Sequence, residues 1–113
     1  MKLKILEKDI LRTCLDYLAI KRIFHWRHNS GVMFIKGDKK TRMIRMGQEG
    51  SPDIFAVKQQ GFGGITIGQI YGIEVKSPTG KQSDNQIEWQ KKFEEVGGIY
   101  LLVHSLEELQ KYL

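Results

Sequence analysis

The residues best suited to chemistry in this sequence are two carboxylates and a lysine that lie in or beside apolar segments. Asp53 precedes the apolar run 54–57, at the point where a loop enters a strand. Glu74 interrupts an apolar strand, and Lys76 follows two residues later. Side chains alternate along a strand, so Glu74 and Lys76 are predicted to project from one face while Ile73 and Val75 project into the core.

These three residues together are typical of a metal-dependent phosphodiester hydrolase. If their strands pair antiparallel, Asp53 approaches Glu74. Two carboxylates held close together repel each other, and a bound divalent cation usually offsets this repulsion. Hard oxygen ligands in a partly hydrated site favour Mg²⁺, with Mn²⁺ as a substitute, over zinc. Lys76 would hold the attacking water or stabilise charge on a phosphate. The alternative is a polar strand face with an exposed ion pair, which contributes little to stability.

The (D/E)xK pattern is short, and its surroundings decide which copy matters. Asp38-Lys39-Lys40 also fits it, but lies in a charged turn with no apolar strand around it. The copy from Glu74 to Lys76 lies inside an apolar strand, and is therefore preferred.

A third carboxylate, Glu7, falls near the middle of the apolar stripe of the first predicted helix. A carboxylate there is expected to be buried or half-buried, and it then needs a partner or a metal. The alternative is a residue of the first helical turn, stabilised by the helix dipole.

Short elements separated by glycine-containing turns must position these residues. A helix is predicted over Leu3 to Lys21, with its apolar stripe formed by Leu3, Leu6, Ile10, Leu11, Cys14, Leu15 and Leu18. The predicted strands are Val32 to Lys36, Arg42 to Met46, Asp53 to Lys58, Gln69 to Lys76 and Ile99 to His104. The first two form a basic hairpin, and the next two pair antiparallel across the turn Gln60 to Gly64.

Two capping boxes predict the remaining helices. Ser83 and Gln86 begin a helix that ends near Val96, before Gly97-Gly98, and Ser105 with Glu108 begins a short last helix. The order α, β hairpin, β hairpin, α, β, α predicts an α/β sandwich with a mixed sheet, in which the strand from Ile99 is parallel to a neighbour.

Composition favours a single globular domain over residues 1–113. The chain is 41% hydrophobic and 27% charged, with no apolar run long enough to cross a bilayer and one cysteine, Cys14, which excludes an internal disulfide. Its N-terminus lacks the pattern of a signal peptide, so a cytoplasmic location is expected.

The net charge is +5, and one short stretch concentrates basic residues, namely Lys36, Lys39, Lys40, Arg42 and Arg45. Clustering of this kind favours a polyanionic partner; a solvated basic face without a ligand is the alternative.

The sequence resembles the virus-type replication-repair nucleases (VRR-NUC) within the PD-(D/E)XK superfamily. Five blocks carry the resemblance and span nearly the whole chain: Glu7, Arg27-His28-Asn29-Ser30-Gly31, Gly50-Ser51-Pro52-Asp53, Ile73-Glu74-Val75-Lys76 and Gln86. Their order and spacing agree with the compact, stand-alone members of the family.

The resemblance implies a restriction-endonuclease-like fold, a central mixed β-sheet flanked by helices. It implies that Asp53, Glu74 and the backbone carbonyl of Val75 bind metal, that Glu7 completes or supports the site, and that Lys76 positions water. Stand-alone members resemble homodimeric resolvases of branched DNA such as four-way (Holliday) junctions, so DNA repair in a bacterial or phage-infected cell is expected.

Residues expected to contact DNA follow from the resemblance and from the charge pattern. The resemblance adds Arg27 and Asn29, and the basic hairpin adds Lys39, Lys40 and Arg42. Gln86 is expected to support the site as well as cap its helix, since it lies on the inward side with Trp89 and Phe93.

Two other functions remain open at this point. A non-catalytic nucleic-acid-binding module would leave the carboxylates structural, although acidic residues beside a phosphate path repel the ligand unless a metal intervenes. An accessory subunit of a larger replication or repair complex is the second alternative.

Overall fold

The structure is a computed structural model that describes residues 3–29 and 31–113. Its elements, in chain order, are α1 (Glu7–Ile20), β1 (Phe24–Arg27), β2 (Gly31–Lys36), β3 (Thr41–Met46), β4 (Ile54–Phe62), β5 (Ile65–Val75), α2 (Asp84–Glu95), β6 (Ile99–Val103) and α3 (Leu106–Gln110). Met1, Lys2 and Ser30, which entered the signal-peptide and family arguments, lie outside the described residues.

A mixed four-stranded sheet in the order β1-β4-β5-β6 forms the centre of the fold. Its first three strands are antiparallel, and β6 runs parallel to β5, with Ile73 beside Leu101. This confirms a mixed α/β architecture and the parallel placement of the strand from Ile99. Among the described residues, strands β2 and β3 pair only with each other, as a separate two-stranded sheet.

Helices α1 and α3 cover one face of the central sheet. The α1 residues Ile10, Cys14 and Leu18 are buried in one cluster with sheet residues and with Leu109 of α3. The sheet supplies this cluster with Ile54, Ala56, Tyr71, Ile73, Val75, Leu101 and Val103. Apolar residues recur at three- and four-residue spacing in α1 and at two-residue spacing in the strands, so their burial follows from sequence periodicity.

Helix α2 covers the opposite face through stacked aromatic rings. The rings of Trp89 and Phe93 lie 4.8 Å apart, and both pack near Phe55 of β4. The helix begins with the complete capping box between Ser83 and Gln86, as predicted. It ends in a Schellman motif, because the Gly97 and Gly98 N–H groups donate to the carbonyls of Glu94 and Phe93, with Gly97 at positive φ.

Four local predictions were wrong. The first helix begins at Glu7 rather than at Leu3, and strand β1 occupies residues that the sequence left without an element. The turn expected over Gln60 to Gly64 is only Gly63-Gly64, since β4 and β5 pair as far as Phe62 and Ile65. The second capping box is half formed: the Ser105 hydroxyl accepts from Glu108 N–H, whereas the Glu108 carboxylate accepts from His104 N–H.

Within the described residues, the structure contains no helix of the length and apolar character needed to span a membrane.

Candidate active site

Asp53 is positioned by the loop that joins β3 to β4. The carbonyl of Gln48 accepts hydrogen bonds from both the N–H and the hydroxyl of Ser51, which is buried. Pro52 is fully buried beside Gly72, where an added Cβ would lie 3.1 Å from the proline ring. The turn and the buried proline together fix where the chain enters β4, and Asp53 is the last residue before that strand.

The same loop docks on the start of α2. The Trp89 indole N–H donates to the Gln48 side chain at 2.9 Å, and the Asn85 amide donates to Glu49 at 2.8 Å. Gly50 has φ +85 and lies so close to the Asn85 carbonyl that any Cβ there would collide with it. Only glycine satisfies both requirements at this position.

Strand pairing brings Asp53 and Glu74 together, as predicted. Ile54 is opposite Ile73, so the preceding Asp53 and the following Glu74 project together from the α2 side of the sheet. The Val75 N–H donates to the Asp53 carboxylate at 2.9 Å, and this hydrogen bond holds Asp53 against the end of β5. A side-chain hydrogen bond also joins Glu74 to Asp53.

Glu74 is the only buried charged residue among those the structure describes, with 3% of its surface exposed. Its pKa is raised from 4.5 to about 9, mainly by burial and then by the negative charge of Asp53 and the hydrogen bond with Asp53. Lys76 opposes these effects and Glu7 adds to them. At neutral pH the free protein therefore holds a proton between two carboxyl groups.

Gln86 performs both of its expected structural roles at once. Its side-chain oxygen accepts from the Ser83 N–H at 2.9 Å, and its amide N–H donates to Glu74 at 3.1 Å. An amide has a donor and an acceptor end, which allows one side chain to cap the helix and hold the carboxylate. The position of Glu74 is thereby linked to the start of α2.

Lys76 and Tyr100 complete the immediate surroundings of Glu74. Lys76 is half-buried, and its charge lowers the pKa of Glu74. The Tyr100 hydroxyl accepts from Gln82 at 3.2 Å, and burial raises the pKa of this phenol to about 12, with smaller contributions from Glu74 and Asp53. Tyr100 is thus a neutral polar group over the physiological range, near enough to Glu74 and Asp53 for their charges to act on it.

Glu7 is exposed, so the prediction that it is buried or half-buried was wrong. The physical reason is the helix start: Leu6 is the N-cap and Glu7 the first helical residue, where its carboxylate complements the positive end of the helix dipole. Glu7 nevertheless lies near enough to Glu74 to raise the pKa of that residue.

The donor set fits a hard divalent cation that keeps much of its water. Within residues 3–29 and 31–113 no group of three or more carboxylate, histidine or cysteine side chains is arranged to hold a metal ion. Two touching carboxylates are present, and Mg²⁺ is ordinarily bound through one or two carboxylates with several waters retained. A cation and the shared proton are alternative ways of relieving the same repulsion.

No protein-family model, curated protein or solved structure matches this chain. The resemblance to VRR-NUC nucleases therefore stays a prediction from the sequence motifs.

The residues predicted to contact DNA occupy three different places. Arg27 pairs with Ile54 in the sheet, so its side chain lies on the α1 face, opposite to Asp53. Asn29 is exposed just after β1. Lys39, Lys40 and Arg42 are exposed at the far end of the β2–β3 hairpin.

Sequence reasoning missed the contribution of His28. Its N–H donates to the Asp53 carbonyl at 2.7 Å, and its ring packs edge-on against Phe55 at 5.2 Å. Gly47 has φ +66, and a Cβ there would lie 2.7 Å from the His28 ring. Recognition of β1 would have placed His28 beside Asp53, but a four-residue strand next to an Asn-Ser-Gly sequence gives a weak signal.

Proposed function

We propose that this chain is a metal-dependent DNA endonuclease of the PD-(D/E)XK type, related to the VRR-NUC nucleases and sharing their restriction-endonuclease-like fold. The observation that carries the proposal is the buried Glu74 in contact with Asp53, with Lys76 beside it. A carboxyl group whose pKa is raised to about 9 by burial and by a second carboxylate is typical of a functional site.

Asp53, Glu74 and the Val75 carbonyl would hold Mg²⁺ or Mn²⁺, with Glu7 supporting the site from the first turn of α1. When bound, such a cation lowers the pKa of coordinated water and stabilises negative charge on a phosphate. The protein's own part is positional. Val75 N–H and Gln86 orient the two carboxylates, and Lys76 supplies a fixed positive charge beside the water that attacks phosphorus in line with the departing 3′ oxygen.

Branched DNA such as a four-way junction is the proposed substrate, and a homodimer is the proposed active form. A resolving enzyme must cut two strands placed symmetrically about a branch point, which two copies of one small domain related by a two-fold axis accomplish. The site and the basic hairpin would then be present twice.

The deciding experiment is cleavage of a labelled four-way junction beside matched linear duplex and single strand. It is run with Mg²⁺, with EDTA, and with the Asp53→Ala protein. Paired Mg²⁺-dependent nicks on the junction, absent from the variant, are expected. Tight binding with no cutting of any substrate would refute the nuclease and favour a non-catalytic binding module.

A further inference from the structure

The hairpin of β2 and β3, residues 31–46, is a basic arm separate from the central sheet. The two strands pair in register from Gly31 and Met46 at the base to Lys36 and Thr41 near the tip. Neither strand pairs with the four-stranded sheet. A two-stranded sheet on its own is marginally stable in water, and it gains order when it packs against a partner.

The arm exposes large apolar side chains in addition to its basic ones. Phe34 and Met43 are cross-strand partners on one face, with 68% and 60% of their surface exposed. Met33 and Ile44 are the equivalent pair on the other face, with 43% and 39% exposed. Apolar residues on both faces of an isolated hairpin require an explanation, because clustered exposed apolar surface usually marks an interaction site.

Charge identifies the kind of partner that fits the arm. The arm carries five of the chain's 18 basic residues but one of its 13 acidic residues, so it accounts for +4 of the net charge of +5. On the face of Phe34 and Met43, two-residue spacing adds Lys36 toward the tip and Arg45 toward the base. Two such arms would repel each other, whereas a polyanion with exposed apolar surface satisfies both features.

DNA with bases unstacked at a branch point has this chemistry. We propose that the arm enters branched DNA and that the Phe34–Met43 pair packs against bases exposed at the branch, while Lys36 and Arg45 contact the flanking phosphates. Apolar wedges of phenylalanine or methionine separate base steps in many DNA complexes, and a two-stranded ribbon fits the major groove. The inference rests on the proposed function for the choice of DNA as partner.

The base of the arm is attached directly beside the candidate active site. On the β2 side, His28 N–H donates to the Asp53 carbonyl. On the β3 side, the loop from Gly47 to Pro52 is fixed to α2 and leads into Asp53. An arm anchored at both ends in this way would set the distance between the branch point and the phosphate that is cut.

The test uses a four-way junction that carries 2-aminopurine beside the branch point, with Ca²⁺ in place of Mg²⁺ to prevent cutting. Wild-type protein should raise the fluorescence at saturation, because unstacking relieves quenching. Phe34→Ala should abolish most of this rise and weaken junction binding by roughly 5- to 150-fold, the range found for loss of one base-stacking aromatic residue. Met33→Ala on the opposite face is the matched control, expected to retain the rise.

Two results would overturn the inference. One is a fluorescence rise that survives in Phe34→Ala at saturation. The other is a change in sedimentation from dimer to monomer in Phe34→Ala without DNA, which would make the arm a contact between copies of the chain. Circular dichroism checks that the variant is folded, which is expected because 68% of the Phe34 surface is exposed.

The readout separates this inference from the proposed nuclease activity. A rise in fluorescence with no cleavage in Mg²⁺ would support the arm and refute the nuclease. Cleavage in Mg²⁺ with no rise in fluorescence would support the nuclease and refute the proposed role of the arm.

Discussion

Replacing Glu74 by glutamine should stabilise the free protein, and increasingly so as pH rises. The folded protein holds the pKa of Glu74 at about 9, against 4.5 for an unperturbed glutamate. Between these two values the folded state keeps a proton that the unfolded state releases, so the free energy of unfolding falls as pH rises. The stabilising contribution is complete below about pH 4.5 and is lost as pH approaches about 9.

The size of the effect follows from proton linkage. One group that releases its proton only on unfolding lowers the free energy of unfolding by about 1.4 kcal/mol per pH unit. From pH 5 to pH 8 this amounts to roughly 4 kcal/mol, a large part of the stability of a small domain. The glutamine amide donates to Asp53 as the protonated carboxyl does and accepts from Gln86, so Glu74→Gln preserves both hydrogen bonds without the titration.

Urea unfolding at pH 5, 6, 7 and 8 in EDTA measures the difference. Wild type and Glu74→Gln should have similar stability at pH 5, and the variant should gain on wild type at each higher pH. Glu95→Gln, an exposed carboxylate near the end of α2, serves as the control and should follow wild type throughout. Parallel curves for wild type and Glu74→Gln would show that Glu74 is ionised over the whole range and would refute the reasoning.

Four further outcomes are expected. At pH 8, millimolar Mg²⁺ or Ca²⁺ should raise the thermal midpoint of wild type but not of Glu74→Gln; equal shifts would move cation binding elsewhere. Lys76→Ala should abolish junction cleavage while binding in Ca²⁺ survives, and loss of both would point to misfolding. Replacing Lys39, Lys40 and Arg42 by alanine should reduce the salt slope of DNA binding by roughly 2 to 3, whereas an unchanged slope would exclude the arm from the DNA path. Cys14, buried and with its pKa raised to about 11 mainly by burial, should react with a thiol reagent only as fast as the protein unfolds, and rapid labelling would contradict its burial.

The contact between Asp53 and Glu74 was predictable because it depends on strand alternation alone. Once two strands pair antiparallel, the residue before Ile54 and the residue after Ile73 must share a face. The capping box at Ser83 was predictable for a similar reason, since it depends on residues three positions apart.

Two of the failures, strand β1 and the start of α1, depend on contacts that are distant in sequence. Strand β1 has four residues and forms by pairing with β4, so its own sequence carries little of the signal. The start of α1 was misjudged because Leu3 and Leu6 continue the apolar pattern while both remain exposed before the helix. Periodicity identifies a helix but does not show where the core ends.

The protonation state of Glu74 could not be predicted from the sequence either. A carboxylate in an apolar strand predicts a perturbed residue, but its protonation depends on how close Asp53 comes and on what covers the pair. Here the Gln86 amide of α2 donates to Glu74, and only 3% of the Glu74 surface remains exposed. Gln86 reaches Glu74 from an element later in the chain.

Stability alone does not explain a glutamate at position 74. A glutamine there would make the same hydrogen bonds to Asp53 and Gln86 without the loss of stability that occurs, as pH rises, because the unfolded state releases the Glu74 proton. Burial disfavours the ionised form of Glu74 in the free protein, whereas a cation that replaced the proton would stabilise this form, and Asp53 is placed to bind the same cation. Departures from local rules of stability are expected at functional sites. The destabilising carboxylate is therefore an argument for cation binding that is independent of the sequence motif.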